Sequence, residues 1–162
     1  MQHTETERKF LVKDCSYTRQ ASGSRHIVQG YICQEKDRTV RVRISGEHAW
    51  LTIKGQSSKD GTSRYEWEQE IPAQEAEQLI KLCRSGVIDK TRYIVPFDGH
   101  IFEVDEFHGT NSGLIVAEIE LKNETESFSR PEWLGKEVTG DVRYYNSCLV
   151  SHPFSEWDEK NG

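Results

Sequence analysis

Charged and apolar residues alternate with period two through most of the chain, and the alternation returns in one segment after another. Over Thr39–Ser45, Val40, Val42 and Ile44 alternate with Arg41 and Arg43; over Arg64–Ile71, Tyr65, Trp67 and Ile71 alternate with Arg64, Glu66, Glu68 and Glu70. Over Ala117–Leu121, Ala117, Ile119 and Leu121 alternate with Glu118 and Glu120, and near the start Glu5, Glu7 and Lys9 stand at two-residue spacing. Successive side chains of a strand point to opposite faces, so each run carries charge on one face and apolar groups on the other. The pattern predicts strands at Glu5–Val12, Arg25–Cys33, Thr39–Ser45, Ala49–Lys54, Ser63–Ile71, Ile88–Pro96, His100–Phe107 and Leu114–Leu121. Asp98-Gly99 is the strongest hairpin signal between them. The period changes to helical after Pro72, where Ala76, Leu79, Ile80 and Cys83 form a stripe stopped by Gly86. A second helix is predicted behind Asp141 as N-cap, with Tyr145, Cys148 and Leu149 on its apolar side, and a short helical turn around Pro131–Leu134.

Eight mostly antiparallel strands with few helices predict a mainly β fold of the α+β class, an eight-stranded barrel with a C-terminal helix near one end. An ordinary small barrel is apolar inside. Here either the charges are routine solvated faces, or the barrel is a tunnel with a polar, charged lumen and its apolar face covered by helices. At 162 residues the chain is expected to form one domain, residues 1–152, followed by an acidic tail at 153–162 that is frayed from Ser155 on.

Composition favours the second alternative. Hydrophobic residues make up 35% and charged residues 30% of the chain, with a mean hydropathy of −0.75. Such polarity suits disorder, but four Trp, six Tyr and six Phe spread along clear strand patterns argue for a folded chain with a polar interior. The net charge of −6 makes nucleic acid or an anionic membrane an unexpected partner. No leader or long apolar run is visible, so a cytoplasmic location is expected. The four cysteines and six histidines show no metal-type spacing, which leaves a zinc site without support.

The polar parity collects two sets. The acidic one is Glu5, Glu7, Glu66, Glu68, Glu70, Glu103, Asp105, Glu118 and Glu120; the basic one is Lys9, Arg41, Arg43, Lys54, Arg64, Lys90, Arg92 and, beyond the strands, Arg143. If the barrel closes, the two Glu-x-Glu pairs of the first and last strands become neighbours. Four carboxylates without thiols or imidazoles suit hard divalent cations such as Mg²⁺ or Mn²⁺. Arg41 and Arg43 on one face repel each other unless an anion lies between them, and clustered Arg and Lys are receptors for phosphate oxygens. Any single pair of these is more often a solvated strand face; the recurrence across strands is what carries the reading.

The segments Glu5-x-Glu7-x-Lys9, Arg41-Val42-Arg43, Leu51-Thr52-Ile53-Lys54-Gly55, Tyr65–Pro72, Lys90-x-Arg92-Tyr93, Glu103-Val104-Asp105 and Ala117–Leu121 resemble, in order, the CYTH superfamily of triphosphate tunnel metalloenzymes. The stretch Trp133–Asp141 followed by Arg143–Asn146 is similar to its short bacterial tripolyphosphatases. The resemblance implies hydrolysis of inorganic tripolyphosphate to pyrophosphate and phosphate in an eight-stranded tunnel, with side activity on nucleoside triphosphates. It implies two ions, Mg²⁺ or Mn²⁺, held by Glu5, Glu7, Glu118 and Glu120. Glu5 and Glu7 then serve catalysis, and Lys90 is the candidate for aiding the leaving group. Lys9, Arg41, Arg43, Lys54 and Arg92 hold phosphate oxygens; Arg143 either reaches the substrate or is a plain helix-end residue. Glu66, Glu68, Glu70, Glu103 and Asp105 orient those cations. The resemblance leaves two alternative activities open, class IV-type adenylyl cyclase and thiamine triphosphatase, and a polyphosphate- or nucleotide-binding module without catalysis stands as the non-enzymatic alternative. A homodimer is implied by the resemblance alone.

Overall fold

A computed structural model of the protein describes residues 6–57 and 64–158. Its elements are β1 (Thr6–Val12), α1 (Tyr17–Gln20), β2 (Gly23–Glu35), β3 (Arg38–Ser45), β4 (His48–Ser57), β5 (Arg64–Ile71), α2 (Ala73–Ile80), β6 (Val87–Phe97), β7 (His100–Phe107), β8 (Ile115–Leu121), β9 (Leu134–Glu137) and α3 (Asn146–Ser151). The fold is α+β and the strand pairs are antiparallel. The chain divides into two compact units, residues 26–89 forming one and the segments on either side of them forming the other.

In the 26–89 unit, β2, β3, β4 and β5 form a meander of adjacent antiparallel strands. Its apolar parity packs on α2: Val42, Ala49 and Ala76 are fully buried, with Ile44, Leu51, Ile71, Leu79 and Ile80 around them. That packing fixes which face the charged parity takes, because a one-residue slip would turn every side chain over. Cys83, predicted as the last residue of the helical stripe, lies beyond the end of α2 and covers Gly30. A Cβ at Gly30 would stand 2.8 Å from the Cys83 sulfur, so the strand needs glycine there.

The other unit holds β6-β7-β8-β1-β9 in that order of adjacency. β6 and β7 join through Asp98 and Gly99, both at positive φ (47° and 83°), the turn that the Asp-Gly pair predicts. The core is Phe10, Tyr17, Val95, Phe102, Val104, Ala117, Ile119, Leu121, Trp133 and Leu134. Trp133, with no exposed surface, stacks edge-on against Tyr17 and Phe102 and donates its indole N–H to Gln20 at 3.0 Å.

Three expectations are corrected. The structure has nine strands among the described residues rather than eight, because the predicted helical turn around Pro131–Leu134 gives way to β9. Leu134 closes one turn onto the Pro131 carbonyl, and the backbone then pairs with the edge of β1, in register Phe10↔Glu137 and Val12↔Leu134. A row of unpaired backbone groups on β1 outweighs one turn's local preference. Asp141 does cap, accepting the Arg143 N–H at 3.1 Å, but it caps a 3₁₀ turn over Val142–Tyr144, and α3 begins only at Asn146. The tail is docked past Ser155: Phe154 and Trp157 are each 8% exposed, and Trp157 packs edge-on against Tyr144 and Phe154. Residues 159–162 lie outside the described residues.

Arg8 breaks the rule that charge keeps to one parity. It shares the core side of β1 with Phe10, lies over the Phe10 and Phe128 rings at 5.6 and 5.1 Å, and forms a two-pronged pair with Glu137 at 2.6 and 2.8 Å. Arg8 first, helped by Thr139, lowers the Glu137 carboxyl from 4.5 to about 2 despite partial burial. The stabilisation is therefore complete above pH 4.5 and is lost as pH falls through 2. Arg8→Met should cost about 1 kcal/mol at pH 7, given the pair's partial exposure. The difference in melting temperature from the parent should shrink steadily below pH 4.5; a difference independent of pH would mean that ring packing alone holds Arg8.

Candidate active site

In the β6-β7-β8-β1-β9 unit, the strand register places the predicted charges in adjoining rows. Glu7 faces Glu120 and Lys9 faces Glu118 across β1 and β8; Glu118 faces Glu103 across β8 and β7; Arg92 faces Asp105 across β7 and β6. Cross-strand partners lie on one face. The neighbourhood of the two Glu-x-Glu pairs, expected from closure, thus arises from direct pairing of β1 with β8. Lys9 reaches Glu118 at 3.3 Å. Arg92 donates to Asp105 from Nε (2.8 Å) and Nη2 (3.0 Å) and to Glu103 from Nη1 (3.3 Å).

Glu7, Glu103, Glu118 and Glu120 line one cavity of about 710 Å³ with His100, Lys122 and Glu126. Partial loss of solvation, then the facing Glu118 carboxylate, raises the Glu7 carboxyl from 4.5 to about 7, against the opposing pull of Lys9. A carboxyl so raised marks a site with more negative charge than its neighbours neutralise. Burial alone would raise Asp105 as well, but Lys90 and Arg92 overcome it and hold that carboxyl below its ordinary range. Arg92 goes the other way: burial would lower its guanidinium, and Asp105 together with Glu103 raises it.

Lys90 has no exposed surface. Its ammonium donates to Asp105 at 2.9 Å and to Asn146 at 3.1 Å and lies 5.5 Å from the Phe107 ring centroid. Enclosed in this way, it supports Asp105, and contact with a leaving group would require its cover to move. Arg143 pairs with Asp141 at 2.7 Å and stacks on Tyr144 and Trp157; these contacts are those of a residue fastening the end of the domain.

In the 26–89 unit the charged face carries Arg41, Arg43, Lys54, Glu66, Glu68 and Glu70, aligned by the pairs Arg41↔Thr52↔Glu68, Arg43↔Trp50↔Glu70 and Lys54↔Glu66. Arg43 Nε donates to Gln29 at 2.8 Å, and Gln29 is 1% exposed. Thr52, equally buried, donates to Glu68 at 2.6 Å and accepts from Arg41 at 3.4 Å. Arg41 stands 3.8 Å from Glu68, yet its Nε is buried with no hydrogen-bond partner. A buried guanidinium N–H without an acceptor costs free energy that a bound anion would recover. Glu70 is engaged with His48 at 2.8 Å.

Sequence reasoning missed Gln29, Thr52, Tyr145 and Asn146. Thr52 was legible as the register partner of Arg41, given the short β3–β4 turn; Gln29 was not, because an irregularity between Tyr31 and Cys33 shifts β2 by one residue and the β2–β3 turn alone would set Gly30 opposite Arg43. Tyr145 and Asn146 lie off the strands, where parity gives no signal. Glu5 and the side chain of Arg64 lie outside the described residues.

The donor chemistry fits a hard divalent cation in kind: Glu7, Glu118 and Glu120 offer carboxylate oxygens on one face, and the Glu7–Glu118 repulsion is of the sort a cation relieves. Among the described residues no three Asp, Glu, His or Cys side chains converge as a ready ligand set.

Known proteins are similar to this chain over most of its length. Residues 3–145 fit the CYTH domain, and the chain belongs to that family. It is 47% identical over 156 residues to an inorganic triphosphatase of Acetivibrio thermocellus, covering 96% of this chain and 98% of that protein. It is 37% identical over 154 residues to an inorganic triphosphatase of Nitrosomonas europaea, covering 91% and 97%. A crystal structure of an inorganic triphosphatase superposes with a TM-score of 0.73 at 33% identity, over 91% of this chain and 95% of that one.

Proposed function

We propose that the protein hydrolyses inorganic tripolyphosphate, adding one water to release pyrophosphate and phosphate, with a divalent cation, Mg²⁺ or Mn²⁺, as cofactor. The observation that carries this reading is the buried, unpartnered Nε of Arg41, beside Arg43, on a face built of charges. The activity named for the two relatives, which match this chain over nearly its whole length, supports it.

In this reading Lys9, Arg92, Arg41, Arg43 and Lys54 hold phosphate oxygens. The fork of Arg92 is fixed by Asp105 and that of Arg43 by Gln29, so neither must be ordered when substrate arrives. Fixed cations favour the spread charge of a transferring phosphoryl group over the ground state. Glu7, Glu118 and Glu120, with Glu5, would hold the metal, which when bound polarises the phosphate and activates water near neutral pH. Glu66, Glu68 and Glu103 balance the cations when no substrate is present. We read the enzyme as cytoplasmic, in keeping with its free cysteines; no helix among the described residues is long and apolar enough to cross a membrane.

The test compares initial rates on tripolyphosphate, ATP, thiamine triphosphate and pyrophosphate with Mg²⁺ and with Mn²⁺. Tripolyphosphate should show the highest kcat/KM, since every assigned contact goes to a phosphate oxygen and a nucleoside removes charge from the phosphate it esterifies. Pyrophosphate should be poor because it engages fewer of these cations. Arg41→Ala should raise KM for tripolyphosphate at least about tenfold, with a smaller effect on kcat. Preference for ATP with cyclic AMP among the products would replace this reading by the cyclase one.

A further inference from the structure

Two consecutive residues at the start of α3 touch the lysines of β1 and β6. The Tyr145 ring centroid lies 4.9 Å from Lys9 Nζ. Asn146 Oδ1 accepts from Lys90 Nζ at 3.1 Å; Lys90 donates onward to Asp105 at 2.9 Å, and Asp105 receives the Arg92 fork at 2.8 and 3.0 Å. One dipeptide is thus tied directly to Lys9 and, through a buried chain of charge-assisted hydrogen bonds, to Arg92. Closing the end of the domain would not require this. The residue that does so is Tyr144, 4% exposed and packed on Trp157, whereas Tyr145 is 37% exposed. Tyr145 lines a cavity of about 380 Å³ with Glu7, Lys9, Thr139 and Gly140, which puts it beside the charged face.

We propose that Tyr145 and Asn146 are positioning residues of the phosphate site, holding Lys9 and Arg92 in the geometry that receives tripolyphosphate. The proposal rests on the triphosphatase reading and goes beyond it by making the C-terminal segment part of substrate binding. A lysine has several rotatable bonds, and fixing its ammonium in advance lowers the ordering cost of binding. The ring of Tyr145 does this for Lys9 through its π face. The amide oxygen of Asn146 does it for Arg92 at one remove, by fixing Lys90 and so the carboxylate that orients the guanidinium.

The test pairs a disruptive with a conservative change at each position. Tyr145→Leu removes the ring and Tyr145→Phe keeps it; Asn146→Leu keeps the size and removes the acceptor, and Asn146→Asp keeps both. For tripolyphosphate, KM should rise about threefold in Tyr145→Leu and about tenfold in Asn146→Leu. In both, kcat should stay within about twofold of the parent; Tm should be unchanged in Tyr145→Leu and lower in Asn146→Leu, where a buried ammonium loses an acceptor. The Phe and Asp variants should return KM close to the parent value. Calorimetric titration of tripolyphosphate without metal should show the same order of affinities. If Asn146→Leu does not fold, the Tyr145 pair decides. Leu and conservative variants that have the same KM, or a KM in Tyr145→Leu that rises only in step with a falling Tm, would overturn the inference and leave the triphosphatase reading intact. A parent that neither binds nor hydrolyses tripolyphosphate would overturn that reading and the inference together.

Discussion

Glu120→Gln and Glu7→Gln are each expected to lower tripolyphosphate turnover at least about a hundredfold, and a chelator should abolish turnover in the parent. Each change keeps the size of the side chain and removes one negative charge from the face where β1 and β8 pair Glu7 with Glu120. The metal-free stability should move the other way for Glu7. Its carboxyl is raised from 4.5 to about 7, by lost solvation first and by Glu118 next. A raised acid makes the folded state the better proton binder, so its contribution is most favourable below pH 4.5 and is lost as pH rises through 7. Glu7→Gln escapes that loss: its Tm without metal at pH 8 should equal or exceed the parent's, while turnover collapses. A variant that loses turnover and stability together would show Glu7 to be a structural residue. Full turnover in thoroughly chelated buffer would remove the metal from the mechanism altogether.

The charged faces were legible because register in a meander is fixed by what lies behind it. Val42, Ala49 and Leu51 could pack on α2 only one way, and that choice also placed Arg41, Arg43 and Lys54 on the opposite face. The pairing of Glu7 with Glu120 was anticipated for a different reason from the one found: closure was expected to bring them together, and direct antiparallel pairing of β1 with β8 does so. Period-two reading failed where a single side chain served another purpose. Arg8 sits on the core side because two aromatic rings and Glu137 receive it. β9 was missed because its four residues carry no alternation of their own; the backbone of β1 makes the strand. Parity placed Lys90 on the same face as Arg92, two residues on in β6, but no periodicity reveals that Asn146 and Asp105 enclose it.

Asp105 and Glu103 are two carboxylates of one strand and one face, both assigned to orienting cations, and burial separates them. Glu103 is 42% exposed and meets Arg92 at 3.3 Å. Asp105 is 2% exposed and receives Lys90 at 2.9 Å as well as both prongs of Arg92. Water screens the first and not the second. Glu103→Ala should therefore cost less than about 1 kcal/mol. Asp105→Ala should cost about 3–5 kcal/mol, because it takes the carboxylate from a wholly buried ammonium and a mostly buried guanidinium. For a chain of this size that corresponds to a fall in Tm of roughly 10–15 °C. The direction of the shift gives an independent check. Lys90 and Arg92 hold the Asp105 carboxyl below its ordinary range, so its stabilisation is present at neutral pH and disappears as pH falls into the acid range. The Tm gap between parent and Asp105→Ala should narrow there, while the gap for Glu103→Ala stays small throughout. Pairing Asp105→Leu with Lys90→Met supplies the last comparison, since removing both charges relieves the buried lysine. That double variant should melt higher than Asp105→Leu alone. If it melts lower, Lys90 draws its stabilisation from Asn146 and its other surroundings, and Asp105 is not the anchor of the buried chain.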